Sequence, residues 1–189
     1  MVKPKNILVT LAVLFFLFTG YLFINSLEQP KHIHSRDDVP QSSTNRAGDS
    51  ETVIVDLKKQ LQGDPGNFSI LMSLGHAYLE NRYYEKAGKI FSRAVKVNPG
   101  SPEAHTDLGV ALRNNGQIDE ALKQLKKVTA DFPEYADGWL QLGTIYRFDL
   151  KKNRKALDCF QKFLILDNQG ELAPRVKEEI RRIEAEMNP

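Results

Sequence analysis

Two hydrophobic patterns divide this chain. Residues 7–24 read ILVTLAVLFFLFTGYLFI, eighteen positions without a charge and without a polar face. A helix of that length spans about 27 Å, close to the hydrocarbon thickness of a bilayer. The run is longer than a signal-peptide core and lacks the paired small residues of a cleavage site, so an uncleaved membrane anchor is expected. Lys3 and Lys5, in the short tail 1–6, favour a cytoplasmic N-terminus and an extracytoplasmic (periplasmic) body held at the inner membrane. Residues 25–50 are polar, carry two prolines and show no apolar period, which reads as a flexible linker.

From residue 51 onward the apolar residues recur every three or four positions, and the pattern itself repeats. Pro65, Pro99 and Pro133 are 34 residues apart, as are Leu74, Leu108 and Leu142, and Gly75, Gly109 and Gly143. Tyr78, Leu112 and Tyr146 keep step. Each unit reads as two helices. Leu71, Leu74 and Tyr78 lie on one face of the first, while Ala87, Phe91 and Ala94 lie on one face of the second. A glycine inside a helix costs about 1 kcal/mol against alanine. Gly75 is therefore expected where a neighbouring helix comes close, with Ala87 facing it. Asn98-Pro99 should end the second helix, because proline removes a donor and restricts its predecessor.

These residues resemble the tetratricopeptide-repeat family, whose period is 34. Residues 67–101 match its consensus with Leu71 at the tryptophan position, then Leu74-Gly75, Tyr78, Ala87, Phe91, Ala94 and Pro99. Residues 102–135 follow with His105, Leu108-Gly109, Leu112, Ala121, Leu125, Val128 and Pro133. Residues 136–169 supply Trp139, Leu142-Gly143 and Tyr146. In this third unit the pairing alanine, Ala156, comes one residue late, so the turn around 148–153 is expected to be one residue longer, and Asn168 replaces the closing proline. Residues 51–66 read as a half-repeat cap with Val53 and Leu57 inward. Residues 170–189 read as a capping helix with Leu172, Val176, Ile180 and Ile183 on its apolar stripe. The resemblance implies an all-α, right-handed α-solenoid of antiparallel helix pairs, here with an N-terminal transmembrane helix.

In this family the first helices line a concave groove. The positions that would face it are Ser69, Met72, His76 and Leu79 in the first unit. The second gives Glu103, Thr106, Val110 and Arg113, and the third Asp137, Leu140, Thr144 and Arg147. The Lys and Asn residues of family members that clamp a chaperone's terminal carboxylate are missing from these positions. Arg113 and Arg147, one period apart beside an apolar floor, suggest a peptide with apolar anchors and an acidic group.

Charge and chemistry narrow the function further. From residue 51 on, 21 Lys/Arg face 20 Asp/Glu, which leaves no basic stripe for nucleic acid. The chain has one cysteine, Cys159, expected in the core and outside any disulfide or Cys-pair metal site. His32, His34, Asp37 and Asp38 lie in the linker, without a framework to hold a metal. Asn67 begins a glycosylation triplet but sits where a helix cap belongs. No catalytic, phosphate-cradling or dinucleotide motif is present, so neither enzymatic activity nor a cofactor is expected. The sequence therefore points to a membrane-anchored scaffold or holdase for protein or peptide partners. Its plan is similar to periplasmic tetratricopeptide subunits of cytochrome c maturation and to the single-span ancillary subunit of the Sec translocon. The competing reading is a self-assembling or bridging protein of the cell envelope.

Overall fold

A computed structural model describes residues 43–188. The apolar run at 7–24 lies outside them, and among the described residues no helix is long and apolar enough to cross a membrane. Eight α-helices follow in order: α1 Ser43–Gly63, α2 Phe68–Glu80, α3 Tyr84–Val97, α4 Pro102–Asn114, α5 Ile118–Asp131, α6 Ala136–Thr144, α7 Asn153–Leu166 and α8 Ala173–Met187. Neighbours in sequence pack against each other from α1 to α8, and α4 also touches α6. The result is a stack of three helix pairs, α2/α3, α4/α5 and α6/α7, with a helix at either end.

The helix starts follow local chemistry. The side chain of Asn67 accepts from the Ile70 amide at 3.1 Å, and one period later Ser101 accepts from the Ala104 amide at 3.1 Å. Each satisfies a first-turn donor that has no partner within the helix. The turns between pairs carry a second periodic feature. His105 Nε2 donates to the Pro99 carbonyl at 3.0 Å, and Trp139 Nε1 donates to the Pro133 carbonyl at 2.8 Å. His105 thus does the work of the tryptophan, with Gln124 Nε2 bonded to its Nδ1 at 2.5 Å. Leu71 cannot donate, and in the first unit Arg93 satisfies the Pro65 carbonyl instead, at 2.8 Å.

The periodic glycines make room for large side chains. A Cβ on Gly75 would lie 2.4 Å from the Phe91 ring, one on Gly109 2.8 Å from Leu125 Cγ, and one on Gly143 2.7 Å from the Phe160 ring. Gly75 therefore faces Phe91, one turn beyond the expected Ala87, which is fully buried in the same core. The gap accommodates a ring edge, and the small Ala87 does not need it.

The third unit shows where its extra residue goes. In the first two units the connection closes with Tyr83 N–H on Tyr78 O at 2.8 Å and Gln117 N–H on Leu112 O at 2.9 Å. In the third, α6 continues into a π-helical turn, Ile145–Asp149, and Lys152 N–H reaches Tyr146 O at 2.7 Å. The wider turn absorbs one residue and delivers α7 in step. With no closing proline, α7 ends at Leu166, and Asp167 Oδ1 accepts from the Gly170 amide at 2.8 Å.

The N-terminal cap departs from expectation in two ways. α1 begins at Ser43, inside the stretch read as linker. No proline lies between Pro40 and Pro65, and a helix nucleated by packing propagates at little cost into such a segment. Its buried stripe is Ile54 and Leu61, with Leu57 packed beside them, whereas Val53 is 50% exposed. A terminal helix with one neighbour buries one narrow stripe, and Val53 falls off it. At the other end, Val176 and Ile183 of α8 are buried and Ile180 packs against the same core, while Leu172 lies at its edge.

Alanine substitution at two glycines should therefore act in opposite directions. Gly75→Ala drives a methyl into a fully buried ring, at a cost of about 1–3 kcal/mol that outweighs the helix-propensity gain. Gly88, inside α3, would place its methyl 3.9 Å from Ala111 Cβ, an ordinary contact. Gly88→Ala should stabilise by up to about 1 kcal/mol. Urea denaturation of the two variants, read by helical circular dichroism, checks the opposite signs.

Candidate functional site

The twelve positions expected to share one groove separate into distinct environments. Met72 and Thr106 are buried, and Thr106 Oγ1 has no hydrogen-bond partner although the residue is only 4% exposed. They are core positions. Ser69, Glu103 and Asp137 are exposed, and Val110 is half-buried.

The second environment holds the two arginines, and neither is free. Arg113 Nε donates to Asp149 Oδ2 at 2.5 Å. Arg147 is more deeply engaged. Its Nε donates to Glu179 at 2.6 Å, its two terminal nitrogens grip Glu186 at 2.7 Å each, and Nη1 also reaches Asn153 Oδ1 at 2.9 Å. Asn153 closes the loop by donating to Glu186 at 3.0 Å. Arg147 thus joins the π-turn, the start of α7 and the last helix. The hydrogen bonds from Arg147 hold the Glu186 carboxyl down at about 2, and the same contact pushes the guanidinium further up. The acidic peptide group expected at Arg147 is supplied by the chain's own α8. The pairing of residue 147 with residues 179 and 186 has no periodic signature in the sequence.

Leu140 and Thr144 belong to the third environment. With Phe148, Phe160, Leu172 and Val176 they line an open cleft of about 750 Å³ between α6 and α8, rimmed by Gln141, Arg175, Glu178, Glu179 and Arg182. Thr144 turns its hydroxyl back to the Leu140 carbonyl at 2.8 Å, so it presents its methyl side. Phe148 is 49% exposed and Leu172 37% exposed beside this floor. Phe148 escaped sequence reading because it stands in the irregular turn, where helical spacing carries no information.

At the other end of the stack His76 bonds Asp107 across two helices, Nε2 to Oδ2 at 2.7 Å. That bond, helped by the charges of Asp107, Glu103 and Glu80, raises the imidazole pKa against the opposing effect of burial. Tyr135 is pushed up to about 12, first by burial and then by Asp137, Asp107 and Glu103. Cys159 is buried in the core and its thiol is pushed up to about 11 by desolvation, which leaves little thiolate to react at neutral pH.

Stacked antiparallel helix pairs with a cap at either end define an all-helical, solenoid-like scaffold fold. Residues 84–142 of the chain match the family model described as tetratricopeptide repeat. Over 126 residues it is 26% identical to Hsp70-Hsp90 organizing protein 3 of Arabidopsis thaliana, an alignment that covers 67% of this chain and 22% of that protein. Across the first curated relatives the chain spans 22–29% of their length. Among solved structures it is similar to MamA, with a TM-score of 0.58 at 22% identity over 79% of this chain and 96% of that one. It is also similar to the first tetratricopeptide-repeat domain of Spaghetti (RPAP3), solved with a bound HSP90 peptide, with a TM-score of 0.59 at 18% identity over 65% and 96%.

Arg147→Ala should destabilise the domain by about 1–3 kcal/mol. That is below the 3–5 kcal/mol of fully buried pairs, because Glu186 reaches solvent. The acid limb should respond as well. A carboxylate held near 2 when folded, against about 4.3 when unfolded, contributes stability above pH ~4.3 that is lost as pH falls toward 2. Wild type should therefore exceed Glu186→Gln in denaturation midpoint at pH 6, and the gap should close by pH 2.

Proposed function

We propose that this chain is a non-catalytic binding scaffold that captures a segment of another protein in the cleft between α6 and α8. The observation that carries the reading is the apolar floor of Leu140, Phe160 and Val176, left open with Phe148 and Leu172 exposed at its edge. Large apolar side chains grouped beside an open cleft are unfavourable in water and suit a segment with an apolar anchor. The mixed charges of Arg175, Glu178, Glu179 and Arg182 around the rim suit polar flanks of either sign. The acidic-ended HSP90 peptide of the Spaghetti structure is a poor guide to the ligand, because Arg113 and Arg147 are already paired.

The apolar run at 7–24 would hold this scaffold at a membrane, with the domain on the extracytoplasmic side. There it would act as a holdase or assembly factor for envelope proteins, of which an apocytochrome segment is one example. The test is site-specific photocrosslinking of the full chain in its own membrane. A benzophenone side chain at position 148 or 172 should give discrete adducts. The same group at Val97, also exposed but on α3, should not. Adducts at Val97 with none at 148 and 172 would move the binding face elsewhere on the stack.

A further inference from the structure

We infer that His76, Glu103 and Asp107 form a binding site for a divalent first-row metal ion of the zinc class. One ligand atom from each lies within 4.8 Å of the others. Glu103 and Asp107 are four residues apart on α4, so both project from one face a single turn apart. His76 comes from α2, in the preceding repeat, and already touches Asp107 at 2.7 Å. Its ring stands edge-on to Phe91 with centroids 5.4 Å apart, and Phe91 is fully buried. The imidazole is thus held in place before any ion arrives.

The distances are close to those an ion needs. Zinc bonds of about 2.0–2.2 Å to nitrogen and oxygen put adjacent ligand atoms roughly 3–3.5 Å apart. His76 and Asp107 need to open slightly. Glu103 must swing inward, which is easy for an exposed glutamate. The ion takes the place of the proton shared by His76 and Asp107, and any proton the imidazole carries is released to solvent. A nitrogen donor beside two carboxylates favours zinc, cobalt or nickel over magnesium or calcium, which take oxygen. Three protein ligands leave room for water, the arrangement of an open site.

An ion held here clips α2 to α4 and so links two successive repeats. Because the donors come together only in the folded chain, binding must stabilise the fold. The pair sits 31 residues apart in sequence, a spacing no local metal motif describes, and this is why sequence reading passed over it.

The probe is Zn²⁺ titrated into tag-free full-length chain carrying His32→Ala and His34→Ala, so that the N-terminal histidines cannot contribute. One ion per chain should bind, and the melting temperature should rise with it. Co²⁺ in its place should give visible absorption from a nitrogen–oxygen site. His76→Ala and Asp107→Asn, each in that background and each shown folded by circular dichroism, should weaken Zn²⁺ at least tenfold and abolish the thermal shift. No saturable binding, or binding unchanged in both variants, would overturn the assignment. A His76–Asp107 hydrogen bond with only a structural role would change the metal-free melting temperature and leave no zinc-dependent difference.

Discussion

The structure depends on one contact made three times: a glycine on the first helix of each pair receives a large side chain from the second. Phe91 over Gly75, Leu125 over Gly109 and Phe160 over Gly143 each occupy the space a Cβ would fill. Close-packed interiors tolerate neither a void nor an overlap here, so the contact sets the relative translation of the two helices. The first two pairings span 16 residues and the third 17, because an extra residue stands between Gly143 and Phe160. The π-turn at Ile145–Asp149 is the device that absorbs it. The irregularity in the backbone preserves the regularity of the packing, and by doing so it also places Phe148 at the edge of the α6–α8 cleft.

The second consequence concerns the end of the stack. A solenoid exposes the apolar face of its last repeat unless something covers it. Here α8 buries Val176 and Ile183, and the Arg147 cluster fixes its position through Glu179 and Glu186. Of the two arginines expected to meet an acidic ligand, Arg147 holds the cap and Arg113 is paired with Asp149. The cap leaves an apolar cleft open on one side.

The helix pairs, their period and the late Ala156 were legible in the sequence, because each rests on spacing along one helix or on a residue type with a single structural use. The same logic identified Asn67 as a cap and put His105 and Trp139 at one consensus position, where each side chain bonds a proline carbonyl. Face assignments were less legible. Thr106 occupies a stripe position, yet it is buried, and nothing local in the sequence reports the tertiary packing that covers it. The cross-helix partners were the least legible. Arg147 with Glu186 and His76 with Asp107 join residues from separate helices, and their pairing depends on the stacking geometry.

A double-mutant cycle at Gly109 and Leu125 tests the interlocking contact most directly. Gly109→Ala alone should destabilise, since its methyl meets Leu125 Cγ at 2.8 Å. With Leu125→Ala the obstruction is gone, and Gly109→Ala should then stabilise through helix propensity, giving a coupling energy above about 1 kcal/mol. The predicted result is that change of sign. Additive effects, with Gly109→Ala equally damaging in both backgrounds, would contradict the account.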